Sequence, residues 1–248
     1  MTKTPLKRAL EALIAVIFWI AVWEITALII DLEFIFPRVG NTLKAFVQLL
    51  TEGRFWSSIL LSLLRILYGF ALGVAIGIAS AFLCNASRIA RAIISPALSV
   101  VKSTPVASAI MLVWFIIGSE SVPIAIAMLM VAPIVCQNLL DGFASVDAEL
   151  SEVCDVFRIS YVKRLRILII PTLIKFLLPA LVTASALAWK SGVAAEIITY
   201  TEKSIGRMII DAKSGFDGAQ MFALTLAVII ISVVIEFLIK RTVKAVMK

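Results

Sequence analysis

The chain contains no histidine. That single absence removes Ser-His-Asp nucleophiles, histidine-ligated zinc and the H-E-x-x-H helix. Cysteine is scarce. Cys84, Cys136 and Cys154 are an odd number, give no disulfide framework and read as small apolar fillers on or toward a reducing inner side. No glycine-rich G-x-x-x-x-G-K-[ST] loop is present, so the chain does not bind a nucleotide by that route. No catalytic residue, cofactor or metal is expected. Charge is also sparse, at 16 % of residues, far below what a soluble domain carries on its surface.

What fills the sequence instead is apolar: 62 % hydrophobic residues, with a mean hydropathy of +1.08. Long charge-free runs such as Ile66–Ser87 and Ser121–Leu140 approach or exceed the roughly 20 residues that cross a hydrocarbon core. The expected fold is all-α and polytopic, with six spans in a single domain over residues 1–248. Spans are expected near 9–30, 57–84, 122–141, 169–193 and 221–239, with one more in the proline-broken region between the second and fourth. Glu11 and Glu24 interrupt the first apolar stretch and no A-x-A site follows it, so it reads as an uncleaved span.

The net charge of +7 speaks to topology rather than to nucleic acid. With the N-terminus inside, thirteen bases fall on inner segments, including Lys3, Arg88, Arg91, Lys163 and Lys248, and six fall outside. That asymmetry satisfies the positive-inside rule. It puts both termini in the cytosol and residues 118–121 and 198–217 outside.

Inside the spans, Gly69, Gly73, Gly77 and Ala81 recur every fourth residue. This stripe lets two helices approach closely in lipid. Pro96 and Pro105 are expected to break the region that follows, since each removes a backbone bond and clashes with the preceding turn. Broken helices occur in membranes where protein or a wet cavity covers them.

The middle of the chain departs from this pattern. "LSEVCDVFRISYVKRLRILIIP", residues 150–171, runs from acids to bases. Leu150, Val153, Cys154 and Phe157 form an apolar stripe beside Glu149, Glu152 and Asp155. Asp147 is placed to cap the helix. A second amphipathic piece follows at Tyr161, Val162 and Leu165. On pattern alone, this hairpin is either a surface helix resting on anionic lipid or a docking element for a cytosolic partner.

The stretch resembles the coupling loop of bacterial ABC importer permeases, E-A-A-x-x-x-G followed after nine residues by I-x-L-P. Here it stands as Glu152-Val153-Cys154, Arg158 in the glycine place, and Leu168-x-Ile170-Pro171. A glycine there would permit a positive φ, and Arg158 puts that turn in question. The segments "SLLRILYGFALGVAIGI", "VVKSTPVASAIMLVWFIIG" and "AWKSGVAAEIITYTEKSIGRMIIDA" extend the likeness to the nitrate/sulfonate/taurine-type permeases. The resemblance implies a type I importer fold in a bacterial plasma membrane. It also implies a homodimer around a central path, two cytoplasmic ATPase subunits gripping the coupling loop (about 145–168), and an extracytoplasmic solute-binding protein above. Substrates in that family include sulfonates, taurine, nitrate and bicarbonate-like anions. The alternative is a carrier or channel driven by an ion gradient.

Within the spans, Lys102 beside Pro105, and Lys190, are candidate path-lining charges for an anionic or zwitterionic solute. The alternative for each is an ion pair with Glu24, Glu196 or Glu236, or snorkelling. Glu196 either gates the outer mouth or plays a structural part. The five tryptophans read as interfacial anchors or packing.

Overall fold

The computed structural model describes residues 5–246; Lys3 and Lys248, two of the inner bases, lie outside it. The described residues form eleven α-helices and no strand: α1 (Pro5–Ile30), α2 (Val39–Thr51), α3 (Gly53–Ala86), α4 (Arg88–Ser103), α5 (Val106–Ile117), α6 (Val122–Ala144), α7 (Ala148–Val156), α8 (Tyr161–Arg164), α9 (Ile170–Thr199), α10 (Ile205–Ser214) and α11 (Gly218–Val246). A π-helical turn, Leu165–Ile169, joins α8 to α9. Five helical stretches are long and apolar enough to cross a membrane: Leu13–Ile30, α3, α6, Tyr161–Thr199 and Gly218–Val243. Counted as one crossing, α4 and α5 make a sixth, but they meet at 109°.

The break falls at one proline, not two. Thr104 is extended, with ψ 126°, the conformation that a following proline imposes, and α5 begins directly after Pro105. Pro96 lies inside α4 without ending it, a correction to the expected second break. Ser87 caps α4 by accepting from the Ala90 N–H at 3.3 Å.

The centre of the bundle is the contact of α3 with α6. A Cβ added at Gly69 would lie 2.3 Å from the Ile124 carbonyl oxygen, and at Gly73 and Gly77 it would lie 2.7 Å from Val131 Cβ and Val135 Cβ. Backbones this close gain dispersion contacts along the whole seam, which is how helices associate where lipid removes the hydrophobic drive. Farther along the same buried face of α3, Gly192 of α9 leaves room for the Ile66 side chain. Trp189 is fully buried, and its indole N–H donates to the Val228 carbonyl at 3.0 Å, tying α9 to α11. Among the tryptophans it is a packing residue, whereas Trp56 is exposed and donates to the Leu50 carbonyl near the α2 end.

The bundle has two distinct ends. The α9–α10 turn, α10 and the α5–α6 turn gather around the N-terminal part of α3. Arg65 donates to Glu120 at 2.6 Å and to the Glu202 and Lys203 carbonyls, while the Glu202 N–H donates to the other Glu120 oxygen. Arg65 is thus a clasp between three segments rather than a free snorkelling base. The α7–α8 hairpin lies at the opposite end, where Asn85 of α3 shares a cavity with Ser151 and Arg164.

The close approach at Gly77 predicts a large asymmetry between two identical substitutions. Gly77→Ala is expected to lower stability by about 1–3 kcal/mol through overpacking. Gly40→Ala, where a Cβ meets nothing within 4 Å, is expected to be neutral or stabilising by up to about 1 kcal/mol. Thermal unfolding of both variants in detergent checks this.

Candidate coupling hairpin and path residues

The α7 helix is nine residues long, too short to persist without help at its ends. Both ends receive it. Asp147 accepts from the Glu149 and Leu150 N–H groups at 2.9 and 3.3 Å, as an N-cap should. At the other end the Arg158 N–H donates to the Asp155 carbonyl and the Ile159 N–H to the Cys154 carbonyl, at 3.1 and 2.9 Å. These are the two bonds of a Schellman ending, whose turn residue must be left-handed. That residue is Arg158, with φ 46°. The motif's glycine position therefore keeps the glycine conformation while carrying an arginine, at a steric cost of about 1–2 kcal/mol.

A cross-brace holds the hairpin shut. Arg164 of α8 donates to Asp155 at 2.8 Å and also to the Ser151 hydroxyl, so one half-buried guanidinium joins both arms. From the sequence alone Arg164 is one of three bases, with Lys163 and Arg166, on the polar face of the second amphipathic piece. The next turn widens into a π-helix just before Pro171, which has no N–H to give and whose ring would crowd the preceding turn.

The brace fixes which side chains face outward. Leu150, Val153 and Phe157 are exposed, and Val156, absent from the expected stripe, is 79 % exposed. Cys154 turns the other way and is buried, which removes it from the outward stripe. Glu152, Tyr161 and Val162 are exposed beside the apolar group. The result is an apolar ridge, edged by charge, with no other part of the described chain covering it.

Glu196 is wholly enclosed between α3, α9 and α10. Its Oε2 accepts from the Ser62 hydroxyl at 2.8 Å and from the Gly206 N–H at 3.3 Å. Ser62 in turn accepts from the Ile205 N–H at 3.0 Å. Both orphan N–H groups point from the start of α10, where the helix dipole favours an acceptor. Glu196 exposes no atom to a passing solute in this conformation, and Oε1 has no hydrogen-bond partner among the described residues. Gly206 allows the contact, because a Cβ there would sit 2.4 Å from Glu196 Cβ. Sequence reasoning missed Ser62, although it continues the buried small-residue face of α3 upward from Gly69.

A second brace holds the far side of α10. Asp211 accepts from Arg54 at 2.6 Å and from Arg207 at 2.9 Å. Burial alone would raise its carboxyl, but these hydrogen bonds and charges outweigh that and hold it below its ordinary value.

Lys102, Pro105 and Lys190 are all exposed. Among the described residues neither lysine has an acid within 4.0 Å. Glu24 accepts instead from the Val39 N–H, Glu196 is held as above, and Glu236 pairs with Lys240. Glu24 and Glu196 are thus occupied elsewhere, whereas Glu236, paired with Lys240, also feels the charge of Lys190.

Residues 73–248 match the family described as the binding-protein-dependent transport system inner membrane component. The chain belongs to this family. It is 24 % identical over 207 residues to SsuC of Bacillus subtilis, a permease assigned to aliphatic sulfonates transport, covering 82 % of this chain and 74 % of that one. It is 28 % identical over 190 residues to a Brucella melitensis protein described as an ABC transporter permease, covering 76 % of each. The bicarbonate transport permease CmpB of Synechococcus elongatus is 29 % identical over 167 residues, 66 % of this chain and 59 % of that one. The fold matches a crystal structure of an amino acid ABC transporter with histidines at a TM-score of 0.64 and 18 % identity, covering 77 % of this chain and 92 % of that one.

As a binding-protein-dependent permease, the chain is the multi-pass membrane subunit of an ABC transport complex with ATPase and binding-protein partners. The family match includes α7, α8, Lys102 and Lys190. Arg158→Gly is expected to stabilise the hairpin by about 1 kcal/mol, because glycine adopts the left-handed turn freely; Arg158→Val is expected to destabilise it. Hydrogen exchange over residues 148–164 reads the difference directly.

Proposed function

We propose that two copies of this chain form the path of an importer for a small anionic or zwitterionic solute, with the α7–α8 hairpin as the piece that each cytoplasmic ATPase grips. The observation that carries this reading is the braced, uncovered ridge of Leu150, Val153, Val156 and Phe157. An apolar ridge on a short helix, held rigid at both ends, suits a groove in a partner better than it suits free solvent. ATP hydrolysis then belongs to the partner, and the permease itself is not an enzyme. Both termini and the hairpin lie in the cytosol, and α10 with the α5–α6 turn faces the binding protein.

Mechanically, the rigid hairpin passes motion of the ATPases into α9 through the π turn. Leu173 and Phe176 of α9 pack against Gly142 of α6, so α9 and α6 move as a unit. The names of the relatives, sulfonates and bicarbonate, support a small anion, and so do Lys102 and Lys190, both exposed and with no acid within 4.0 Å among the described residues. A two-fold axis would set each lysine twice around the path, which lowers the barrier to an anion.

Phe157→Glu places a charge on the ridge while leaving Asp147, Arg158 and Arg164 in place. ATP-dependent uptake in proteoliposomes is expected to fall to background, with the ATPase lost on co-purification and the bundle still folded. Unchanged uptake and co-purification contradict the docking role.

For the path, Lys102→Met and Lys190→Met are expected to slow anion uptake at least about tenfold, equivalent to about 1.4 kcal/mol on the barrier, with assembly and ATPase activity retained. Full uptake by both variants removes the selectivity reading.

A further inference from the structure

Away from the hairpin and the path lysines, two cavities meet on the face formed by α1, α10 and α11. The upper one, about 340 Å³, lies between the α1–α2 and α10–α11 turns, with Phe34, Lys213, Ser214 and Asp217 around it and Met221 at its floor. The lower one, also about 340 Å³, shares Met221 and continues along α11 between Trp23, Ile209, Phe222, Leu226 and Ile229. Together they make one groove, polar at its mouth and apolar along its length.

Beside the groove, α1 is only loosely attached to the bundle. Most of its described side chains are exposed. It is tied mainly near its end, where the Trp23 indole N–H donates to the Pro37 carbonyl at 2.9 Å and the Trp23 ring meets Phe222 at 5.7 Å. Below that point Ile229 of α11 is exposed and Leu226 is part-buried.

We infer that this groove holds one phospholipid with a zwitterionic, ammonium-bearing headgroup of the ethanolamine type. Three observations fix the occupant. First, the groove runs along α11, a helix long and apolar enough to cross a membrane, which suits an acyl chain laid beside it. Second, twelve positions separate Asp217 from Ile229, about 18 Å at 1.5 Å per residue, close to one hydrocarbon leaflet of roughly 15 Å. Third, the mouth carries one cation and one anion. Lys213 is exposed with no acid within 4.0 Å among the described residues, and Asp217 is exposed while its Oδ1 accepts from the Gln220 N–H at 2.8 Å. The lysine suits a lipid phosphate and the second aspartate oxygen suits a primary ammonium. A quaternary ammonium has no N–H to donate to that oxygen, and a purely anionic headgroup meets the aspartate unfavourably.

The test uses the intact transporter, exchanged into an equal mixture of ethanolamine, choline and glycerol phospholipids, with retained lipid read by native mass spectrometry. The parent is expected to keep ethanolamine lipid selectively. Lys213→Glu is expected to lower that retention about fivefold, the loss of one base–headgroup attraction. Leu226→Trp, which fills the chain channel, is expected to abolish it with the complex still assembled; should that variant fail to assemble, Lys213→Glu gives the same reading alone. Retention in the proportions of the mixture, or undiminished by Lys213→Glu, overturns the proposal. So does efficient cross-linking of Ile229→Cys between two copies, which would put a second chain in the groove.

Discussion

Everything in this bundle depends on α3 and α6 meeting with almost no side chain between them. In lipid the helices gain nothing by hiding apolar surface from water, so the contact must come from close packing. Gly69, Gly73 and Gly77 supply it by leaving the α6 carbonyls and Cβ atoms in direct contact with the α3 backbone. Once this seam is set, α9 closes over it through Gly192 and Gly142, and α11 follows through Trp189. The remaining helices are attached at the ends of this core rather than built into it, α1 most loosely.

Several polar residues of the spans serve those end attachments. Glu196 and Ser62 receive the first N–H groups of α10, and Arg65 with Glu120 joins the two turns beside it. At the other end Asp147, Arg158 and Arg164 hold the α7–α8 hairpin. The two ends are therefore braced, and between them the helical path is interrupted by the 109° bend at Pro105 and the π turn before Pro171. In the proposed mechanism these interruptions serve as hinges between braced pieces.

Much of this was legible in the sequence. The spans follow from hydropathy, the seam from the four-residue glycine spacing, and the α7 cap from Asp147. The α7–α8 hairpin stands out because charge there interrupts an otherwise apolar chain. What the sequence could not convey was three-dimensional pairing. Arg164 looks like any surface base until its guanidinium is seen between Asp155 and Ser151, and Ser62 looks like a small packing residue until Glu196, 134 positions away, is placed beside it. Periodicity fixes a face only to within a neighbouring position, so the pattern groups Cys154 with the apolar stripe while one turn of α7 buries it. The cost of Pro96 in isolation suggests a break, but the capped, continuous helix around it absorbs that cost. Arg158 is the opposite case: the motif demanded a left-handed turn, and the backbone takes it despite the side chain.

In the proposed complex the ridge of α7 meets an ATPase on the cytosolic side. Val156, nearly fully exposed at its crest, is the position that reports on this most directly. In a chain whose three native cysteines are replaced, Val156→Cys should cross-link to the ATPase subunit, with a yield that changes on adding ATP. It should be labelled by an impermeant thiol reagent only after the membrane is opened. Labelling from outside intact cells, or a residue that never joins the ATPase in an assembled, transporting complex, would contradict the account.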